Sequence, residues 1–94
     1  MEMLERYYSG EKDWNDFALS FSEFKDLDQV VELAGLLNGN IDVATVIWGK
    51  VGSVGAKDWI YKKVNALDKV RPIDCTEDKN LLNRLRVALM RMPC

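Results

Sequence analysis

The sequence contains no histidine, and among its 94 residues it has only two cysteines and two prolines. Without imidazole, no side chain has an ordinary pKa suited to a general base near neutral pH, and the common zinc sites lose their nitrogen donor. Cys75 and Cys94 are far apart, outside any metal-ligand spacing and without a basic partner, so neither metal binding nor thiol catalysis is expected. The carboxylate pairs Asp26/Asp28 and Glu77/Asp78 fall in cap-like, solvated settings, where nothing raises a pKa. The chain is therefore expected not to be an enzyme and to bind no cofactor or metal. No apolar run approaches the ~18 residues a membrane span needs. The opening MEMLERYYSGEKD has neither a basic segment nor an apolar core, so no signal peptide is expected. A reduced, cytoplasmic protein follows as the expectation.

What the chain does have is a 48% hydrophobic content, ordinary for a single globular domain, and a net charge of −2 that hides an asymmetry. Residues 1–45 carry ten acids and three bases, while residues 46–94 carry ten bases and five acids. Two readings stay open. The halves neutralise one another or form solvated faces, or the basic half meets an acidic partner surface and gains association rate by steering.

Periodicity predicts an all-α fold, a small single-domain bundle with a short irregular connection before its C-terminal helix. Residues 3–8 read as a helical turn stopped at Ser9-Gly10. Asp13 reads as the N-cap of a helix whose Trp14, Phe17, Ala18, Phe21 and Phe24 form a core-facing aromatic stripe. Leu27 to Leu37 reads as a helix apolar over more than half its circumference, stopped by Asn38-Gly39-Asn40. Ile41 to Trp48 is rich in β-branched residues, which favours strand, but it fails to alternate, so the residues by themselves leave strand and helix open here. Gly49, Gly52 and Gly55 read as a flexible turn. No Gly-Lys-Ser/Thr follows them, so a phosphate cradle is not indicated. A short helix is expected over Asp58 to Tyr61, an ordered connection over Val64 to Asp74, and a final helix from Glu77 to about Met92 capped by Thr76.

Within this order lies a set of landmarks: Ala56-x-x-Trp59-Ile60, then Ala66-Leu67, then Pro72-x-x-Cys75, then a closing helix carrying leucines. It resembles the toxin-binding domain of Xre/MbcA/ParS-type antitoxins over roughly residues 44 to 92, leaving 1–43 as a separate N-terminal helical part. Ile60 stands where that family usually has leucine, and Asp68, Lys69 and Lys79 stand where it has glycines. The resemblance implies that Ile41 to Trp48 is helical, because the family has an Ala-x-x-apolar-apolar-Gly helix where Ala44 to Gly49 stands. It also implies a domain without chemistry of its own that binds and silences a toxin enzyme by occluding its active site. The implied partner is a RES-type, NAD-consuming toxin, and a homodimer is implied as well. Trp59 is then expected to be a buried anchor for the Ala66-Leu67 connection.

Projected at 100° per residue, Leu81, Leu82, Leu85, Ala88, Leu89 and Met92 share an arc of roughly 120°, the width of a core-facing stripe. Asn83, Arg84, Arg86, Val87, Met90 and Arg91 fall outside it. The stripe already supplies a core face, so Arg84, Val87, Met90, Arg91 and the terminal Cys94 are the candidate partner-binding residues. Arginine and methionine are both enriched at interfaces.

Two alternatives remain. One is an all-α interaction or scaffold domain without a toxin role. The other is a degenerate helix-turn-helix protein, because residues 33–48 echo the Leu-Ala … Thr-Val-x-x-Trp spacing of Xre-like units. The second is disfavoured by charge: the would-be recognition segment carries Asp42 and no cation before Lys50, where phosphate contacts need cations.

Overall fold

A computed structural model describes residues 4–92. Six α-helices, with three 3-10 turns between or before them, follow in order: α1 (Glu11–Leu19), α2 (Asp28–Leu36), α3 (Ile41–Val51), α4 (Ala56–Trp59), α5 (Pro72–Cys75) and α6 (Lys79–Arg91). The 3-10 turns are Leu4–Tyr7, Ser22–Phe24 and Asn65–Leu67. Among the described residues there is no strand, only one antiparallel bridge between Val64 and Val70. The fold is all-α, and the β-branched segment from Ile41 is helical. None of these helices is long and apolar enough to cross a membrane.

The centre of the molecule is α3. Val43, Ala44, Thr45, Val46 and Ile47 are buried in succession, so the helix is enclosed around its full circumference. That enclosure explains why β-branched residues serve here: packing outweighs their small propensity cost. Thr45 fits this interior because its hydroxyl donates to the Ile41 carbonyl one turn back, at 2.6 Å. On one side lies α2, which meets α3 at a bend of 117°. The bend comes from Asn38 and Gly39, both left-handed at φ 57° and 79°. Gly39 N–H closes on the Ala34 carbonyl at 2.8 Å, the wrap that terminates many helices. Asn40 then caps the Leu37 carbonyl through its side chain at 2.6 Å.

Several local expectations are corrected. Helix α1 begins at Glu11 behind Gly10, so Asp13 lies inside the first turn and is not its cap. The aromatic stripe runs off α1 into the Ser22–Phe24 turn. Trp14 is fully buried, while Phe17, Phe21 and Phe24 pack half-buried at the core's edge. Thr76 does not cap α6; its hydroxyl donates to the Ile73 carbonyl at 2.9 Å. The cap is Asp78, whose carboxylate accepts from Asn80 N–H and Leu81 N–H at 2.8 and 3.1 Å. Trp59 is only half-buried; Ile60 beside it is fully enclosed, and the Ile60 carbonyl accepts from Ile73 N–H at 3.0 Å, tying α4 to α5. Ala56, Leu67 and Pro72 are buried, whereas Ala66 is exposed.

Gly49 is likewise not part of a flexible turn. It sits within α3, and a Cβ built on it would lie 2.6 Å from Cε1 of the Phe21 ring, with Cδ1 closer still. The glycine is there to admit an aromatic side chain against the helix. Gly49→Ala is therefore expected to destabilise the protein by about 1–3 kcal/mol through overpacking, outweighing the ~1 kcal/mol that alanine normally gains in a helix. Chemical denaturation in a Phe21→Ala background checks the cause: there the same substitution should become stabilising.

Candidate functional site

The closing helix was expected to offer a spare outer face, and most of that face is covered. Arg84 and Val87 are buried. The Arg84 Nη1 lies 3.5 Å from the Leu67 carbonyl and 3.7 Å from the Asp68 carboxylate, so this arginine braces the connection before α5. The expectation fails because the Leu4–Tyr7 turn lies along α6 and supplies a second layer that projection of an isolated helix does not include. Met90 is half-buried against the core. Arg91 is exposed, and its guanidinium sits 4.7 Å above the Tyr7 ring. Cys94 lies outside the described residues. Of the candidate partner-binding set, Arg91 and the edge of Met90 remain at the surface.

The residue that sequence reasoning missed is Arg86. It lay among the outward residues of α6, yet its side chain is buried and joins four parts of the chain. Nη1 donates to the Tyr8 hydroxyl at 3.0 Å and to Glu11 Oε1 at 2.9 Å, and Nη2 reaches Asp42 Oδ2 at 3.5 Å. The same Asp42 oxygen accepts from the Trp14 indole N–H at 2.7 Å. The guanidinium also lies over the Tyr8 and Trp14 rings, at 5.7 and 5.4 Å from their centroids. Burial pushes the Tyr8 hydroxyl up from its ordinary pKa, opposed by the neighbouring Arg86 charge. It stays protonated and donates onward to Glu11 at 3.3 Å. Arg86 Nε is buried without a hydrogen-bond partner among the described residues. The only sequence signal for this site was the polar tip on each partner: Tyr8, Trp14 and Asp42 each carry one group that must be satisfied when enclosed.

Surface depressions also lie among the described residues, and two of them flank α3. One, of about 320 Å³, lies between α2, the end of α3 and α4, with Leu33, Leu36, Trp48 and Ala56 in its wall; Lys57 and Glu32 close its rim with a 3.0 Å ion pair. The turn beside it presents Val54, which is 95% exposed. The other, of about 290 Å³, lies between the end of α1 and the start of α3. Among the described residues, no group of three His, Cys, Asp or Glu side chains is placed to hold a metal ion.

The α2–α3 pair has the crossing and short Gly-containing turn of a helix-turn-helix. A recognition helix, however, must present a face to the groove, and residues 43–47 of α3 have none.

Arg86→Met should lower stability by about 2–3 kcal/mol, less than the 3–5 kcal/mol of a fully enclosed pair because Glu11, 67% exposed on its side chain, can return to water. Arg86→Lys should not restore it, since one ammonium cannot span Glu11 and Asp42 while stacking on two rings; urea denaturation of the three proteins measures both. Compared with known proteins, the chain matches no protein family, no curated protein and no solved structure.

Proposed function

We propose that this chain is a protein-binding domain of the antitoxin kind, which silences a toxin enzyme by occluding its active site. The observation that carries the reading is the backbone after Ala66-Leu67. Asp68 and Lys69 adopt φ 55° and 64°, the left-handed conformation that favours glycine, and these are the two positions at which the resembled pattern has glycines. A non-glycine residue there costs roughly 1–2 kcal/mol, so two in succession persist only where the surrounding contacts demand that turn. Arg84 supplies such contacts, through the Leu67 carbonyl and the Asp68 carboxylate. The buried landmarks Ala56, Leu67 and Pro72 support the same reading, as packing residues and not contact residues.

In this reading the partner surface is smaller than the whole outer face of α6. Lys50 Nζ donates to the Met92 carbonyl at 2.6 Å, which joins the end of α6 to the end of α3. Met90, Arg91 and the Gly52–Gly55 turn with its exposed Val54 are then the contact residues. Arg91 offers a planar donor fork suited to a carboxylate or to a site built for a phosphate-bearing substrate such as NAD. The domain works by steric exclusion and needs no cofactor. DNA is not the target, because α3 has no free face and the surrounding half of the chain is acidic.

The test pairs the purified chain with purified RES-type, NAD-consuming enzymes and follows NAD consumption, with light scattering to record the complex and its stoichiometry. Stoichiometric inhibition is expected. Arg91→Ala combined with Val54→Asp should keep the melting temperature and weaken inhibition about tenfold, equivalent to about 1.4 kcal/mol. Unchanged NAD consumption with the chain in excess, and no complex by scattering, would refute the reading.

A further inference from the structure

We propose that the cleft between α2, the end of α3 and α4 binds a free α-amino acid with a large apolar side chain, an aromatic one above all. Its volume of about 320 Å³ lies at the lower end of the ~300–1,000 Å³ typical of small-molecule sites, which suits a ligand of that size. Leu33 and Leu36 of α2 and Ala56 of α4 form apolar walls, and Trp48 near the end of α3 adds an aromatic one. Trp48 packs half-buried against the core. Among the described residues no hydrogen bond or ring contact engages its indole, which is left available to a ligand.

The rim selects the head of the ligand. Glu32 of α2 and Lys57 of α4 both line the cleft and pair with each other at 3.0 Å, their side chains 64% and 66% exposed. So exposed a pair is held weakly and gives way when other charges arrive. An α-amino acid brings a carboxylate and an ammonium on one carbon, close enough together to meet both members of the pair. Its carboxylate faces Lys57 while its ammonium faces Glu32, and the four charges alternate in sign. A ligand with only one of these groups gains one attraction and meets one repulsion, from the opposite member 3.0 Å away. A neutral apolar molecule leaves the pair unused. Behind the head, the side chain lies between Leu33, Leu36 and Ala56 and reaches the Trp48 ring, where aromatic contact adds to the area buried. The Ser53 hydroxyl and the Gln29 side-chain amide, which also line the cleft and are bonded to no other described residue, complete the polar contacts of the head.

The probe is L-phenylalanine, titrated into the isotopically labelled full chain and followed by amide, methyl and indole shifts. No partner protein is present, so the outcome is independent of the antitoxin reading. Saturable binding is expected with a Kd on the order of 1 mM, and with the largest shifts at Leu33, Leu36, Ala56 and the Trp48 indole N–H. Glycine, phenethylamine and hydrocinnamate lack the side chain, the carboxylate and the ammonium in turn, and each should bind more weakly by about tenfold or more. Lys57→Gln and Glu32→Gln should each keep the native spectrum, because both positions are exposed, and weaken phenylalanine binding about tenfold. Glu32→Gln should also let hydrocinnamate bind more tightly than it binds the unaltered chain, since the repelling carboxylate is gone. A merely structural role for Glu32 would weaken both ligands. The proposal is overturned if glycine or either one-charge analogue binds as well as phenylalanine, or if the shifts gather away from the cleft. Absence of saturation by about 10 mM, tenfold above the expected Kd, overturns it too.

Discussion

One guanidinium holds the N-terminal and C-terminal parts of this chain together. Arg86 reaches from α6 to Tyr8 and Glu11 at the start of the fold and to Asp42 at the head of α3, while Trp14 of α1 bonds the same aspartate and lies under the same charge. Its neighbours are spread over most of the sequence, so the cluster forms only when four segments have arrived. Burying one charge costs several kcal/mol unless hydrogen bonds and counter-charges compensate, and both carboxylates here keep some contact with water. The arrangement therefore does more to select one packing of the helices than to add net stability. A shifted α6 leaves Arg86 uncompensated.

The enclosed α3 is the second constraint, and it leaves the surface depressions described above at the periphery. With its middle buried on every side, α3 offers only its two ends: Ile41 and Asp42 at one, Trp48 and Lys50 at the other. The α1–α3 groove opens at the first end. The Trp48 cleft, the Val54 turn and the join to α6 through Lys50 and Met92 lie at the second.

Local spacing carried the helix content, because a helix needs only neighbours three and four residues apart to show its face. The helical assignment of Ile41 onward, against its β-branched residues, rested on failed alternation together with the family resemblance at Ala44 to Gly49, and the Asn38-Gly39-Asn40 stop appears where the left-handed residues are. Caps were less legible. Asp13, Asp78 and Thr76 are all competent capping residues, and which one is used depends on where the preceding turn delivers the chain. Gly49 shows the same limit: its role is set by Phe21, twenty-eight residues earlier, and nothing in the glycine spacing records that contact.

The sequence by itself determined the fold class, the places of the longer helices though not the short α5 within the segment read as a connection, the apolar stripe of Leu85, Ala88 and Leu89, and the separation of acidic from basic residues. All of these rest on interactions between near neighbours or on composition. Only the tertiary structure decided which polar residues are interior. Arg84, Arg86 and Arg91 lie on one helix within eight residues, with no difference in type to separate them. The first braces a left-handed turn, the second is buried between aromatic rings, and the third remains at the surface. Their fates diverge because the Leu4–Tyr7 turn, α1 and the Asp68 turn approach α6 from different directions, and burial depends on what arrives from far along the chain.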